Sequence, residues 1–296
     1  MVTSSAPPSA TEVTDACSAT NQHYELPAEL FAAYLDPRLK YSSGWYDTAG
    51  TTLAEAQTAK LRYVARCLAV TPGARVLDIG CGWGSLVLFM ATEYGCRVTG
   101  VTPSATQAEY ITGLAAERGV AGQVDIKLGR FSGLDLDAGR YDAVSMLGSI
   151  IHMPDREVVL NRVARLLRRD GRLYLSESCF RNAATYDEFA GRPGTRHVTK
   201  GIFGFADMVP LSVLVEAVEV SGLSLVGLDD LTGHYKRTIE DWESLAVANR
   251  DTIERVAPGQ FEPLVRYLHA ANAGWGYTTK HYALTAAKAR YGLAAT

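Results

Sequence analysis

Three glycines at alternate positions, Gly80, Gly82 and Gly84, interrupt the apolar stretch "RVLDIGCGWGSLVLFM". A turn without Cβ atoms lets main chain approach a ligand closely. Dinucleotide sites space their glycines GxGxxG so that a pyrophosphate rests on a helix N-terminus. Here the spacing is GxGxG, with the bulky Trp83 inside the turn and Asp78 two residues before the first glycine. That pattern suits a cofactor without phosphates, whose amino acid and ribose need acceptors. Two other residues have types suited to moving a proton. His152, in "GSIIHMPD", has an unperturbed pKa of ~6.5, which fits base work at neutral pH. Glu177 closes a strand-like run, "RLYLSES". Each has a structural alternative: His152 as a cap of the following helix, Glu177 as an acceptor for backbone amides of the segment that follows.

The elements that must position these residues follow from periodicity. A helix begins near Glu25 and stops at Asp36-Pro37, where proline disfavours continuation. "KYSSGWYDTAGTT" reads as an ordered loop, and Thr52 with Glu55 resembles a capping box opening the helix that follows. Short apolar runs at 75–79, 97–101, 124–128, 141–147 and 172–178 alternate with helical patterns at 83–94, 104–118 and 155–168. Such alternation predicts βαβ units and a parallel sheet. The glycine-, proline- and aromatic-rich segment 180–210 breaks the rhythm and reads as a lid or substrate-side insertion. Helix 211–221 and strand 223–229 resume it, two helices are expected between about 238 and 272, and "HYALTAAK" reads as a final edge strand. The predicted organisation is a disordered leader (1–22), an N-terminal helical cap and cofactor-closing loop (23–72), a Rossmann-like core (73–179), a lid insertion (180–222) and a C-terminal completion of the sheet (223–296).

Composition bounds the function. The net charge of −3 offers no basic field for nucleic acid or anionic lipid. Five cysteines lie scattered without a CxxC pair, so no disulfide framework or structural zinc site is expected and a reducing cytoplasm fits. The histidines show no metal spacing, and no metal is expected. Asp229-Asp230 reads as a strand-end turn rather than a magnesium site. No apolar run approaches the ~20 residues that span a bilayer.

"VLDIGCGWGSL" resembles motif I of class I S-adenosylmethionine-dependent methyltransferases. "YSSGWYDTAGTTLAEAQTAK", "VTGVTPSATQ", "LTGHYKRTIEDW" and "WGYTTKHYALTAAK" extend the likeness to the cyclopropane fatty acid and mycolic acid synthase family, from about Tyr41 to Lys288. The resemblance implies an α/β, Rossmann-like, seven-stranded fold with N-terminal helices and a lid, and S-adenosyl-L-methionine as cofactor. It implies that Tyr41 and Ser42 close over the methionine moiety and that Gly80 and Gly82 line methionine and ribose. Thr102 and Gln107 match positions contacting ribose and adenosine, and Arg130 and Phe131 occupy the adenine-side loop. Leu147, ending the fourth strand, is grouped with this cofactor set.

The family's cyclopropane synthases hold a bicarbonate with a cysteine, a glutamate, a histidine and a tyrosine. Those positions fall here at Ser43, Ile151, Ser176 and Tyr235, so only the tyrosine survives. An apolar Ile151 accepts no hydrogen bond, and a partly unpaired buried anion is costly. Cyclopropane formation by that route is therefore not expected. Tyr235, His152 and Glu177 form the candidate catalytic set, with Tyr235 as a packed aromatic its alternative. The function expected is N- or C-methylation of a small apolar or amphipathic molecule in specialised metabolism. The alternatives are a cyclisation in which the cofactor is itself the substrate and methylthioadenosine leaves, or isoprenoid C-methylation.

Overall fold

The computed structural model describes residues 26–196 and 205–288. The expected leader, His23, Cys17 and His197 lie outside those residues.

Seven strands form one sheet in the order β3-β2-β1-β4-β5-β7-β6. β1 (Arg75–Ile79), β2 (Arg97–Thr102), β3 (Val124–Leu128), β4 (Tyr141–Leu147) and β5 (Leu167–Phe180) pair in parallel. β7 (Thr279–Ala287) runs antiparallel to both β5 and β6 (Ser224–Asp230). This is the seven-stranded architecture the sequence resemblance implies. The order reverses between β1 and β4, so the carboxyl ends of these strands open a crevice, the place where open α/β sheets bind ligands.

Alternation along the strands divides the core. Leu77 and Ile79 point to the face covered by helices Arg156–Leu166 and Leu211–Val220, whereas Val76 faces helices Leu53–Cys67 and Ser85–Tyr94. In chain order the helices are α1 (Ala28–Ala32), α2 (Leu53–Cys67), α3 (Ser85–Tyr94), α4 (Ala105–Glu117), α5 (Arg156–Leu166), α6 (Ala183–Phe189), α7 (Pro193–Arg196), α8 (Leu211–Val220), α9 (Thr232–Ala248), α10 (Arg250–Val256) and α11 (Phe261–Asn272). A third cluster joins Phe31 and Tyr34 to Trp242, Ile253 and Leu268. The start of the described chain is thereby packed onto its C-terminal helices, over the crevice. α2 opens with the expected capping box, Thr52 taking the Glu55 N–H and Glu55 returning to the Thr52 N–H. Such caps are worth about 1 kcal/mol.

Four expectations change. α1 covers only Ala28–Ala32, because the chain turns at Ala33–Leu35 and the Asp36 carboxylate then takes the N–H groups of Arg38 and Lys40. β5 starts at Leu167, five residues early, through a stretch with Asp170 at φ 63°. Three helices, not two, span 232–272. The Asp230 side chain receives the Thr232 N–H and starts α9 early, and the Asn249 amide, bonded to the Ala33 and Leu245 carbonyls, ends it. Finally, β7 is interior and β6 is the edge. The run "YALTAA" is apolar on both faces, which is the signature of a covered strand.

Candidate active site

The glycine turn follows β1 directly, and each glycine has its own reason. Gly80 has φ +75°, and a Cβ there would lie 2.4 Å from the Ser149 Cβ. Ser149 cannot yield, since its hydroxyl donates to the Ile79 carbonyl at 2.6 Å. Gly84 lets α3 approach α4, since its Cβ would meet Ile111 at 2.6 Å. At Gly82, φ is +52° and a Cβ meets no protein atom within 4 Å, so the space beside it belongs to the adjoining cavity.

That cavity, about 250 Å³, lies over the ends of β1, β2 and β4. All ten residues expected around a cofactor line it: Tyr41 and Ser42 from the loop before α2, Asp78, Gly80 and Gly82 from the first turn, Thr102 and Gln107 from the second, and Arg130, Phe131 and Leu147 from the third and fourth. Its polar groups are held by the chain. The Ser145 hydroxyl donates to the Asp78 carboxylate at 2.7 Å, and burial pushes the Asp78 pKa up to about 7. The Thr102 hydroxyl donates to the Gln107 carbonyl oxygen at 2.7 Å, and Ser104 caps α4 by accepting the Gln107 N–H. Arg162 donates to the Phe131 carbonyl and lies over its ring. Arg130 is exposed at the rim. On the loop before α2, the Lys40 Nζ is turned inward onto Ser42 and the Ser43 carbonyl. Tyr41 packs against Phe31 and Trp242.

A second cavity, about 390 Å³, shares Tyr41, Ser42, Gly148 and His152 with the first. His152, Glu177 and Tyr235, the three residues expected to do chemistry, all line it. His152 is not a helix cap; Asp155 caps α5 instead. The His152 Nδ1 lies 2.8 Å from the Phe205 carbonyl, which can only accept, so Nδ1 carries the proton and Nε2 the lone pair. Burial lowers its pKa, a tendency the Phe205 hydrogen bond opposes. Glu177, 5% exposed, accepts N–H groups from Ser178 at 2.9 Å and Ile151 at 3.2 Å. The backbone-acceptor alternative is therefore real, though the amides belong to β5 and to the loop after β4. Burial pushes the Glu177 pKa up to about 7. Position 151 lacks a carboxylate of its own, yet one reaches its backbone from β5. Tyr235, in the first turn of α9, packs against Trp242, Trp275 and His281.

Of the bicarbonate positions, Ile151 and Tyr235 line this cavity. The Ser43 hydroxyl donates to the Gly44 carbonyl, and the Ser176 hydroxyl is buried without a partner. Asp229 receives the Tyr63 hydroxyl and Asp230 pairs with Lys280. Among the described residues no group of three or more His, Cys, Asp or Glu is placed to hold a metal ion, and no helix is long and apolar enough to cross a membrane.

Sequence reasoning passed over His281 and Trp275, which also line the second cavity. A single histidine on a strand has no spacing to mark it; only its cross-strand pairing with Ser178 brings it to the site.

The sequence model described as mycolic acid cyclopropane synthetase matches residues 11–283. A sphingolipid C9-methyltransferase of Komagataella phaffii is 29% identical over 247 residues, which are 78% of this chain and 49% of that protein. A probable (S)-tetrahydroprotoberberine N-methyltransferase 2 of Papaver bracteatum is 32% identical over 171 residues, 57% of this chain and 46% of that one. The chain thus spans about half the length of these curated relatives. Among solved structures, mycolic acid cyclopropane synthase CmaA1 complexed with SAH and CTAB superposes with a TM-score of 0.83 at 24% identity, over 92% of this chain and 98% of that one.

Proposed function

The chain belongs to the mycolic acid cyclopropane synthetase family, and on that premise we propose that it is an S-adenosyl-L-methionine-dependent methyltransferase acting on the nitrogen of a small amphipathic amine. The cofactor fits the first cavity. Asp78, Thr102 and Gln107 offer acceptors and donors for hydroxyls and an amino acid, Gly82 leaves main chain bare, and Arg130 is the one lysine or arginine among the described lining residues, too little for a pyrophosphate. The neighbouring structure that carries SAH supports the same choice. When bound, the sulfonium supplies an activated methyl carbon.

One observation carries the amine reading: a buried carboxyl, Glu177, set in a cavity walled by Tyr41, Tyr235, Tyr267 and Trp275. Aromatic faces attract a cation, and the carboxylate completes the pairing. A pKa near 7 in the empty site is no obstacle, because an ammonium nearby favours the ionised form. An amine attacks only after losing a proton, and His152, which lines both cavities, is the candidate to receive it. The closing loop and the aromatic wall exclude water and align the reactants, which can be worth ~7–11 kcal/mol. Similarity to an N-methyltransferase adds weight.

A second reading, C-methylation of an alkene, is favoured by the similarity to a sphingolipid C9-methyltransferase. In that case Glu177 would receive the proton lost from carbon. Mass spectrometry with an acceptor panel of amines, phenols and unsaturated lipids separates the readings. S-adenosylhomocysteine together with an N-methylated amine is the expected result. Methylthioadenosine would overturn methyl transfer, and methylated lipid without methylated amine would overturn the amine reading.

A further inference from the structure

One wall of the second cavity carries two polar atoms that the protein leaves unmet. His281 is 1% exposed on β7 and its ring is fixed on several sides. Its N–H donates to the Thr232 hydroxyl, its carbonyl accepts the Leu231 N–H, and Nδ1 lies 3.2 Å from the Ser178 hydroxyl. The Tyr235 ring meets it edge-on at 4.6 Å. The remaining ring atom able to hydrogen-bond, Nε2, is buried with no partner. Trp275, perpendicular to His281 with ring centroids 6.4 Å apart, has a buried Nε1 without a partner as well. Both side chains line the cavity. Leaving a buried donor or acceptor unpaired is costly, and these two unpaired atoms belong to neighbouring side chains on one cavity wall.

The chemistry of the two atoms narrows what meets them. An indole N–H only donates, so its partner must be an acceptor, which excludes an ammonium group at this wall. Burial and the nearby Lys60 and Lys40 hold the His281 pKa well below its usual value, so the ring is neutral and presents one N–H or one lone pair. The Ser178 hydroxyl can accept from Nδ1–H or donate to Nδ1, so Nε2 presents a lone pair in the first case and an N–H in the second. A hydroxyl group satisfies both atoms in either tautomer; a carbonyl or ether oxygen does so in only one.

We propose that His281 and Trp275 form a specificity site for a hydroxyl group on the methyl acceptor, the indole N–H donating to its oxygen and the imidazole Nε2 accepting its proton or donating to its oxygen. This rests on the amine reading only for the rest of the ligand. The acceptor is then an amphipathic amine held at Glu177 and anchored by its hydroxyl.

The test measures binding to the full chain by calorimetry with S-adenosylhomocysteine saturating. The probes are phenethylamine with tyramine, 3-phenylpropylamine with its 4-hydroxy form, and the uncharged pair ethylbenzene with 4-ethylphenol. The hydroxylated member of each amine pair should bind at least tenfold more tightly to the wild type. His281→Leu and Trp275→Phe should each abolish most of that advantage, and His281→Gln, which keeps an amide at the wall, should restore part of it. Trp275→Phe preserves the packed ring, so it keeps the test valid should His281→Leu fold poorly. Equal binding within every pair, or an advantage that survives both replacements, overturns the site. If both amines bind equally the amine reading stands and this one falls; if 4-ethylphenol binds and no amine does, the reverse holds. No binding by any probe overturns both.

Discussion

The two cavities differ in how much of their polar lining is already bonded within the chain. Around the first, several polar side chains are bonded within the chain before any ligand arrives, Asp78 to Ser145, Thr102 to Gln107 and Ser149 to the Ile79 carbonyl, while the buried Trp83 Nε1 has no partner. Around the second, Glu177 takes up two backbone amides at a raised pKa, while His281 Nε2 and Trp275 Nε1 have no partner at all. Largely pre-bonded walls suit a site that receives one invariant ligand. A site that selects a particular acceptor leaves its recognition atoms to be satisfied by the right molecule, so that the wrong one is penalised by what stays unpaired.

The sharpest way to break this contrast is Glu177→Gln. If Glu177 holds the acceptor, turnover at sub-saturating acceptor should fall about 100-fold, in line with the ~2–5 kcal/mol lost when one partner of a buried charge pair is removed, while the dissociation constant for S-adenosylhomocysteine stays within twofold. A larger change in cofactor binding than in turnover would move Glu177 to the other cavity. The same variant carries a stability signature. The folded-state pKa is raised from 4.5 to about 7, so stability tied to the protonated carboxyl is fully present below 4.5 and is lost as pH rises through 7. At 1.36 kcal/mol per pH unit, that amounts to about 3 kcal/mol. Thermal unfolding should therefore show Glu177→Gln gaining on the wild type between pH 4.5 and 7 and levelling off above; a pH-independent difference would contradict the buried carboxyl.

Next in size is Gly82→Val, which tests the first cavity. Its φ of +52° disfavours a branched residue, and the side chain would enter open cavity space. Cofactor affinity measured by calorimetry should drop at least tenfold. By contrast, Gly80→Ala should act through the fold, since its Cβ collides with Ser149; loss of thermal stability, not selective loss of binding, distinguishes the two. Unchanged binding in Gly82→Val would remove the assignment of the cofactor.

The contrast also explains what was legible in the sequence. The first cavity is made by consecutive turns of one βαβ run, so Asp78, the glycines, Thr102 and Gln107 announce themselves by position after predicted strands. The second is assembled from β5, α9, the turn at Trp275 and β7, which are joined only by tertiary pairing. His281 reaches it because β7 inserts between β5 and β6, and reading β7 as an edge strand hid that. The helix start at Thr232, set by the Asp230 side chain, was equally hidden, because a turn of this kind competes with strand continuation over only two residues. Glu177 and His152 were visible as types, but Glu177 capturing the amide of Ile151 required the structure.

Tyr235→Phe is expected to be milder. The ring packs against Trp242, Trp275 and His281, and those contacts survive removal of the hydroxyl. Turnover should fall severalfold, with cofactor affinity less affected. The reverse ordering, read from kcat beside the cofactor dissociation constant, would count against placing Tyr235 on the acceptor side.

The smallest effect on cofactor binding is expected from Ile151→Glu, and it is informative because it is small. Ile151 lines the second cavity and not the first, so the dissociation constant for S-adenosylhomocysteine should change less than twofold. Its N–H already serves the Glu177 carboxylate, and a second carboxyl at that point would face the first at close range. Two such groups cannot both ionise easily, so the pKa of the pair rises. Arg156, whose charge favours the ionised Glu177, offsets only part of this, being the last of the influences on that carboxyl. The limb of the pH–rate profile on which activity increases as Glu177 ionises should therefore move to higher pH in the variant. An unmoved limb, with cofactor affinity intact, would mean that the carboxylate at 177 does not govern turnover, and the division of labour between the two cavities would have to be redrawn around His152.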